Sequence, residues 1–240
     1  MPQPLRFSAS RAEMIMACHA SANLELAIPG WQPPVVDDTA GAKGHGSDVH
    51  KIFEKVNELP AREIAAFAKV LAYVAELRST RRFKVMIEPK IQATWLPSAP
   101  RTTADLVLYT QDEIHVIDLK WGKIEVPVVR NGQLLYYGVS FAPLAPRAKG
   151  VTLHVLQPLI DNMESWFADT NTLREFMDEA IATDHAVTAG STKFGPSDHC
   201  TFCPANPHSR GDKGRPFCPA MMNLLYPAPF EEDAILDPDL

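Results

Sequence analysis

Two acidic residues and a lysine stand on neighbouring apolar segments, where they could bind a divalent cation and activate a water molecule. Asp118 and Lys120 are two residues apart in the segment 114–120, so in a β-strand their side chains project from the same face. Asp105 lies in the preceding apolar run, 104–109. Carboxylates bind hard divalent cations, and an adjacent ammonium can orient a water or stabilise a developing oxyanion. These residue types favour metal-dependent phosphodiester cleavage, although an Asp-x-Lys pair on a strand is also common as an exposed ion pair.

Length, composition and charge are those of an ordinary globular protein. The 240 residues are 46% hydrophobic and 22% charged, which suits one core with a small appended lobe. No apolar run approaches the roughly eighteen residues of a membrane span, and the N-terminus lacks a signal-peptide pattern, so we expect no membrane partner. A formal net charge of −6 argues against a protein that coats nucleic acid by bulk attraction, but it permits local basic patches.

Apolar periodicity predicts helices first, then a group of strands, then helix and strand again. The predicted helices cover residues 8–27, with Ser8 or Ser10 as the cap, the segment from Ser47 to Pro60, the segment after Pro60, and residues 131–141 and 171–187. The predicted strands cover residues 84–94, 103–110, 113–119 and 150–157, with a short segment at 125–128. The helix after Pro60 carries an apolar stripe, formed by Ile64, Phe67, Leu71, Val74 and Leu77. This order predicts a mixed sheet flanked by helices.

Cysteines near the end of the chain form a second candidate metal site. Cys200 and Cys203 are a C-x-x-C pair, and Cys218 follows after fourteen residues rich in Pro, Gly and Arg. That segment has little apolar content, so thiolate ligation would supply the missing stabilisation. Cys18 alone would more often be a core thiol; with it, four thiolates suit tetrahedral zinc or an iron–sulfur cluster, and spacing does not choose between them. Two histidines are possible substitutes for Cys18 in a zinc site: His199 and His208.

Taken in order, these motifs resemble the RecB-like branch of the PD-(D/E)XK nuclease superfamily in its iron–sulfur form. Similar arrangements occur in AddB-type helicase–nuclease subunits, CRISPR-associated exonucleases and phage-encoded proteins. The resemblance extends from Ser8 to Cys218. It rests on five elements, which are the helical segment 46–54 with His50, the Thr103-Ala-Asp105 motif, the strand 117–122 with Asp118 and Lys120, the Q-x-x-x-Y segment from Gln133 to Tyr137, and one cysteine upstream with three downstream of all of these.

The resemblance implies a fold and a set of ligands. The fold would be α/β, with a restriction-endonuclease-like mixed β-sheet flanked by helices in residues 1–196, a cysteine-ligated lobe in residues 197–223 and an acidic tail in residues 224–240. His50, Asp105 and Asp118, with the Leu119 carbonyl, would bind Mg²⁺ or Mn²⁺. Lys120 would be catalytic, and Gln133 and Tyr137 would support the site. The cluster ligands would be Cys18, Cys200, Cys203 and Cys218, holding a [4Fe–4S] cluster, with Zn²⁺ as the alternative.

The activity implied by the resemblance is that of a divalent-metal-dependent DNA nuclease. The favoured mode is exonuclease action on DNA ends or single strands, in recombination or DNA processing, in the cytoplasm of a prokaryotic or phage-infected cell. Because no helicase motif is present, a helicase or recombination partner would be a separate chain. The alternative is a non-catalytic DNA-binding or assembly module that keeps the fold. The full set of His50, Asp105, Asp118 and Lys120 favours the enzyme, because a binding module does not need all four.

The sequence departs from the family pattern in two places, and four further residues lie near the predicted site. The fourteen-residue gap before Cys218 is longer than this group suggests, which keeps zinc open, and Ala104 stands where the first acidic motif conventionally has proline. Trp121 could stack on a base or be buried, and Glu88 could reach the site through a water or be an exposed edge charge. Two candidate phosphate contacts follow the catalytic strand: Lys123 and Arg130.

Overall fold

The computed structural model describes residues 7–26, 61–98, 100–203 and 218–220. The helices are α1 (Ala12–Ala17), α2 (His19–Leu26), α3 (Ala61–Thr80), α4 (Gly132–Phe141) and α5 (Thr170–Thr188). The strands are β1 (Lys84–Ile87), β2 (Lys90–Gln92), β3 (Arg101–Thr103), β4 (Leu106–Tyr109), β5 (Ile114–Leu119), β6 (Gly150–Gln157) and β7 (Asn162–Asp169). Short 3₁₀ turns cover Ala9–Arg11, Ala142–Leu144 and Asp198–Phe202. The predicted helix between Ser47 and Pro60 lies outside the described residues.

Five strands form one mixed sheet, in the order β1-β4-β5-β6-β7, and β2 pairs with β3 in a separate ribbon. Only the β5–β6 pair is parallel within the five-stranded sheet, and α4 lies in the connection between those two strands. A parallel pair needs such a crossover, because a tight turn can join only antiparallel strands. The prediction of a mixed sheet flanked by helices is confirmed.

The central position of β5 explains why its charged residue is buried. All six residues of β5 are buried, since helices and neighbouring strands cover it on every side. Its odd-numbered residues Ile117 and Leu119 pack with Phe67 and Val70 of α3. The even-numbered residues face the opposite way, toward α4, because side chains alternate along a strand. Asp118 therefore belongs to the α4 face of the sheet.

The predicted strand over 84–94 is wrong in one respect, because it is two strands in two sheets. β1 ends at Ile87, and Glu88 adopts a left-handed backbone with φ 46°. The chain then continues into β2 after Pro89. At the bend, the Glu88 N–H donates to the Asp105 carbonyl oxygen at 2.8 Å. This hydrogen bond connects the end of β1 to the residue directly before β4.

The apolar stripe predicted for α3 is partly wrong. Ala66, Phe67 and Val70 are buried, whereas Ile64 and Leu71 are 41% and 49% exposed. The buried face is therefore rotated from the predicted one, and Ala66 and Val70 contribute where larger residues were expected. Val74 and Leu77 are partly buried against the same core, as predicted.

Three further local predictions differ from the structure. The helix predicted over 8–27 is interrupted at Cys18 between α1 and α2, and Ser8 makes no side-chain capping hydrogen bond. Residues 125–128 form a loop rather than a strand. The sequence analysis did not predict β7. The helices predicted over 131–141 and 171–187 and the strand over 150–157 are confirmed within one residue at each end.

The described residues divide into two compact units. The sheet unit contains residues 7–13, 61–98 and 100–185, and the cysteine unit contains residues 14–26, 186–203 and 218–220. The predicted boundary between residues 196 and 197 stays a prediction. Among the helices that the structure describes, none is long and apolar enough to cross a membrane.

Candidate functional site

The acid and the lysine of the predicted catalytic motif meet at the end of β5. Asp118 is 3% exposed, and its Oδ2 lies 3.0 Å from the Lys120 Nζ. The Lys120 backbone N–H donates to the Leu156 carbonyl oxygen at 2.9 Å, so β6 fixes the backbone from which the lysine projects. Burial of Asp118 distinguishes this pair from an exposed surface ion pair, which contributes little.

Asp105 is tied directly to the same strand. Its Oδ2 accepts a 2.6 Å hydrogen bond from the Leu119 backbone N–H. Burial raises the pKa of the Asp105 carboxyl from 3.8 to about 7, and the nearby Asp118 carboxylate acts in the same direction. The Leu119 N–H and the Lys120 ammonium act in the opposite direction. The two carboxylates are thus close enough to repel each other, and a bound cation would relieve that repulsion.

Helix α4 supplies the residues that support Lys120. Asn131 caps the helix, since its side chain accepts from the Leu134 N–H at 3.1 Å. Gln133 Oε1 accepts from Lys120 Nζ at 2.8 Å, and Gln133 Nε2 donates to the Tyr137 hydroxyl at 3.0 Å. Residues four apart lie on one helix face, so the Q-x-x-x-Y spacing directs both side chains toward the strand.

Tyr137 completes a continuous polar chain from the helix to the strand. It is 5% exposed, and burial raises the pKa of its hydroxyl to about 12. The carboxylates of Asp118 and Asp105 also contribute to the raised pKa of this hydroxyl, while hydrogen bonds with Gln133 and Thr102 act to lower its pKa. The hydroxyl is therefore neutral near pH 7 and acts as a hydrogen-bonding group that orients Gln133.

The described residues supply two acids of the predicted metal site. Leu119 directly follows Asp118 and donates its N–H to Asp105, and a ligand role for its carbonyl stays a prediction. His50, the third predicted side-chain ligand, lies outside the described residues. Within the described ranges, no group of three or more His, Cys, Asp or Glu side chains could hold a metal ion. The donor chemistry of Asp105 and Asp118 nonetheless fits a hard divalent cation, because both offer carboxylate oxygens at one strand end.

The four neighbouring residues proposed from the sequence differ in how exposed they are. Glu88 is exposed, and its charge contributes to raising the pKa of Asp105. Trp121 is 7% exposed and packs in the core with Leu119 and residues of α3, so it is buried rather than available for stacking. Lys123 and Arg130 are exposed.

All four cysteines line one cavity in the cysteine unit. Cys18, Cys203 and Cys218 are each 7% exposed and Cys200 is 9% exposed, and none forms a disulfide. The other lining residues are mostly apolar, with Phe194, Pro196 and Ala220 among them. Cys200 Sγ accepts a 3.4 Å hydrogen bond from the Ser197 N–H, a contact typical of a thiolate ligand. The predicted cysteine set is thus brought together around one space.

Backbone contacts hold Cys18 in this unit. The Ala20 N–H donates to the Lys193 carbonyl oxygen at 3.0 Å, and Asn23 Nδ2 donates to the Ser191 carbonyl oxygen at 2.7 Å. Gly195 approaches the chain so closely that a Cβ atom there would lie 2.0 Å from the Ala17 carbonyl oxygen. Only glycine permits this approach, so residue 195 helps place the segment before Cys18 against the segment before Cys200.

Sequence reasoning missed two buried polar groups on β6. Gln157 is fully buried and binds the loop after the catalytic strand, and His154 is 1% exposed. His154 Nε2 and His115 Nδ1 are 2.9 Å apart, and the Tyr73 hydroxyl contacts the other nitrogen of His154 at 2.9 Å. Burial and then His115 lower the pKa of His154 to about 3. Both residues could have been noticed in the sequence as polar residues in an otherwise apolar strand, because a buried polar side chain requires a hydrogen-bonding partner.

Residues 55–217 match the family described as "Protein of unknown function (DUF2800)". The chain belongs to this family. A crystal structure from Eubacterium rectale, of a protein described as a "Putative exonuclease", is 15% identical to this DUF2800 chain, with a TM-score of 0.51 over 92% of this chain and 93% of the other. That likeness confirms the fold, a mixed sheet flanked by helices. A structure of SSO0001 matches 79% of each chain at 12% identity, with a TM-score of 0.34.

Proposed function

We propose that this DUF2800 protein is a divalent-metal-dependent nuclease that cleaves DNA at the acid–lysine site. The single observation that carries the proposal is the connected set of side chains at the end of β5. Buried Asp118 contacts Lys120, Lys120 contacts Gln133, and Gln133 contacts Tyr137. A merely structural ion pair needs neither the second carboxylate of Asp105 nor an amide that holds the ammonium in place.

The chain's own residues have distinct tasks in this proposal. Asp105 and Asp118, with His50 and the Leu119 carbonyl, would hold Mg²⁺ or Mn²⁺, which supplies a lowered water pKa and charge stabilisation when bound. Lys120 donates hydrogen bonds, and its position beside Asp118 lets it orient a water or stabilise charge on a phosphate oxygen. Gln133 and Tyr137 keep the ammonium aimed at that position.

The protonation state of Asp105 sets the conditions for metal binding. A carboxyl with a pKa of about 7 is half protonated at neutral pH, and only its ionised form binds a cation well. Cation binding therefore competes with a proton at this residue. The proposal expects metal affinity to rise as the pH rises through about 7.

Two further points support nuclease action. The fold resembles that of a protein described as a "Putative exonuclease", which favours cleavage of a nucleic acid from its ends as the mode. The sequence resemblance adds recombination or DNA processing as the setting, with a separate helicase or recombination protein as the partner. A non-catalytic binding module would need no organised lysine.

We propose that the cysteine cavity holds a structural [4Fe–4S] cluster, with Zn²⁺ as the alternative. Zinc requires sulfur ligands at about 2.3 Å from one centre. The four buried thiols line one cavity. A cluster distributes its four thiolates over several irons and needs a larger space. The ligands would be Cys18, Cys200, Cys203 and Cys218, and the cluster's role would be to order the cysteine unit.

The experiment that tests the proposal replaces Asp118 by Asn and measures both Mn²⁺ binding and cleavage of end-labelled single-stranded DNA. Asp118→Asn keeps the shape of the side chain but removes its charge, so we expect loss of Mn²⁺ affinity and at least about a hundredfold loss of cleavage. The control is Asp112→Asn, which alters an exposed acid paired with Arg147 at the β4–β5 turn. Equal cleavage by the two variants would reject the assignment, as would cleavage by the wild-type protein that persists in excess chelator.

A further inference from the structure

The loop that follows the catalytic strand flanks the site at both of its ends. This post-strand loop, residues 121–130, begins directly after Lys120 and ends at Asn131, the cap of the helix that carries Gln133. It contains no helix or strand. The loop lies beside the site because of what flanks it in the chain. Lys120, directly before the loop, contacts Asp118, and Gln133, shortly after it, contacts Lys120.

A fully buried glutamine holds the post-strand loop in one conformation. Gln157 Nε2 donates to the Ile124 carbonyl oxygen at 2.9 Å and to the Gly122 carbonyl oxygen at 3.4 Å. Gln157 Oε1 accepts from the Val126 N–H at 2.7 Å and from Asn162 Nδ2 at 2.8 Å. The amide thus satisfies the loop backbone in the way a neighbouring strand would. A loop without secondary structure is fixed by one side chain from β6.

The fixed loop presents apolar side chains to water, next to two cations. Ile124 is 75% exposed and Val129 is 58% exposed, and Ile124 is the most exposed of the large hydrophobic residues in the described ranges. Lys123 and Arg130 are exposed beside them, and so is one acid, Glu125, which leaves the exposed charges of the loop net positive. Trp121, the aromatic residue of the loop, is buried and cannot serve this surface.

Arg130 carries a second sign that the loop is held in place. Its backbone has φ 55°, a left-handed conformation that is costly for a side chain other than glycine and persists only when the surroundings impose it. The other described non-glycine residues with positive φ are Glu88, directly after β1, and Asp161, directly before β7. The strand register places both residues at the same end of the strands as Asp118.

We propose that Ile124 packs against a nucleobase beside the scissile phosphate, with Lys123 and Arg130 contacting the flanking phosphates. The inference rests on the proposed nuclease function and extends it by naming the residues that select the substrate. Nucleic acid alternates anionic phosphates with flat apolar bases, which matches an exposed isoleucine between cations on a rigid loop. A base lying flat on Ile124 must be unstacked from its neighbour, which is easiest for an unpaired base, so the loop selects unpaired ends.

The test separates contact with a base from contact with the backbone. Wild type and Ile124→Ala are each combined with Lys120→Ala to prevent cleavage, and their affinities are measured by fluorescence anisotropy. The probes are a labelled single-stranded DNA oligonucleotide and the same strand with abasic nucleotides near both ends. The control is Phe167→Ala, which removes another exposed apolar side chain, 53% exposed, from β7.

The expected result is a loss that depends on the base. Ile124→Ala should weaken binding of the intact strand at least about fivefold and binding of the abasic strand less than about twofold, because only the intact strand loses a buried apolar contact. Phe167→Ala should change neither affinity, and Ile124→Ala should leave the thermal unfolding midpoint unchanged. Equal effects of Ile124→Ala on both strands, or none on either, would overturn the inference, as would failure of the reference protein to bind the intact strand.

Cleavage assays on the same probes keep the two proposals apart. If Ile124→Ala weakens binding only of the intact strand but the wild-type protein cleaves no DNA with Mg²⁺ or Mn²⁺, the nuclease function is refuted and the base contact is retained. A wild-type protein that cleaves both probes, with Ile124→Ala cleaving the intact strand at the wild-type rate, would refute the base contact alone.

Discussion

The acid–lysine site and the cysteine cavity are both candidate metal sites, but the chain organises them in different ways. At the acid–lysine site, every side chain is positioned by the sheet or by α4, and protein hydrogen bonds connect Lys120, Gln133 and Tyr137. At the cysteine cavity, the cysteines come from the junction of α1 and α2, a short 3₁₀ turn and a separate segment at Cys218. The first site is preorganised by the fold, whereas the second depends on what the thiols bind.

This difference predicts opposite consequences of metal loss. Removing a cation from the acid–lysine site should abolish the proposed activity while the sheet unit stays folded, because its core is held by apolar packing of β4, β5 and β6 against α3. Removing the group proposed for the cysteine cavity should disorder the cysteine unit, since the sequence between Cys203 and Cys218 has little apolar content to replace the lost ligation. The predictions that follow test this difference.

The largest stability effect is expected from Cys203→Ser. Loss of one thiolate should lower the thermal unfolding midpoint and make residues 197–223 sensitive to protease, with any loss of cleavage following from disorder. Limited proteolysis of this variant alongside Asp118→Asn checks the contrast, because Asp118→Asn should leave that segment resistant. A resistant Cys203→Ser protein that lacks activity would show that the cluster acts on the reaction rather than on the structure.

The same preparation identifies what the thiols bind. Purified without oxygen, a protein with an iron–sulfur cluster absorbs visible light and loses that absorbance in Cys203→Ser, whereas a zinc protein is colourless in both forms. A colourless wild-type protein with one equivalent of zinc would reject the cluster and retain the structural role.

A smaller effect concerns Asp105 and pH in the metal-free protein. The pKa of Asp105 in the folded state, about 7, lies above its ordinary value of 3.8, so the folded state binds more protons between these pH values. The stability that the protonated form contributes is therefore present at low pH and is lost as the pH rises toward 7. Asp105→Asn should flatten this dependence, as measured by unfolding midpoints from pH 4 to 8. An unchanged slope would show that this carboxyl is not held protonated.

The parts predicted from sequence are those that local pattern determines. Strand β5 has an apolar run, and α4 has the Asn131 cap and the Q-x-x-x-Y spacing, so both elements and their functional faces could be inferred. The approach of Asp105 to Asp118 also follows from the hairpin between β4 and β5, which neighbouring segments form. These features place most of the candidate site.

The missed parts depend on contacts between distant segments. Strand β7 is an edge strand with exposed polar residues, so it lacks the apolar pattern of the central strands. Gln157 reaches the post-strand loop across 33 residues of sequence, and no local signal predicts that pairing. The bend at Glu88 requires a left-handed backbone that glutamate rarely adopts, so a continuous strand was the natural expectation.

The proposed nuclease site is tested by comparing Lys120→Ala with the wild-type protein in cleavage of end-labelled single-stranded DNA with Mn²⁺. Lys120 is assigned to charge stabilisation rather than metal binding, so the variant should bind Mn²⁺ yet cleave at least about a hundredfold more slowly. Lys149→Ala, which changes an exposed lysine before β6, should cleave at the wild-type rate. Undiminished cleavage by Lys120→Ala would contradict the account.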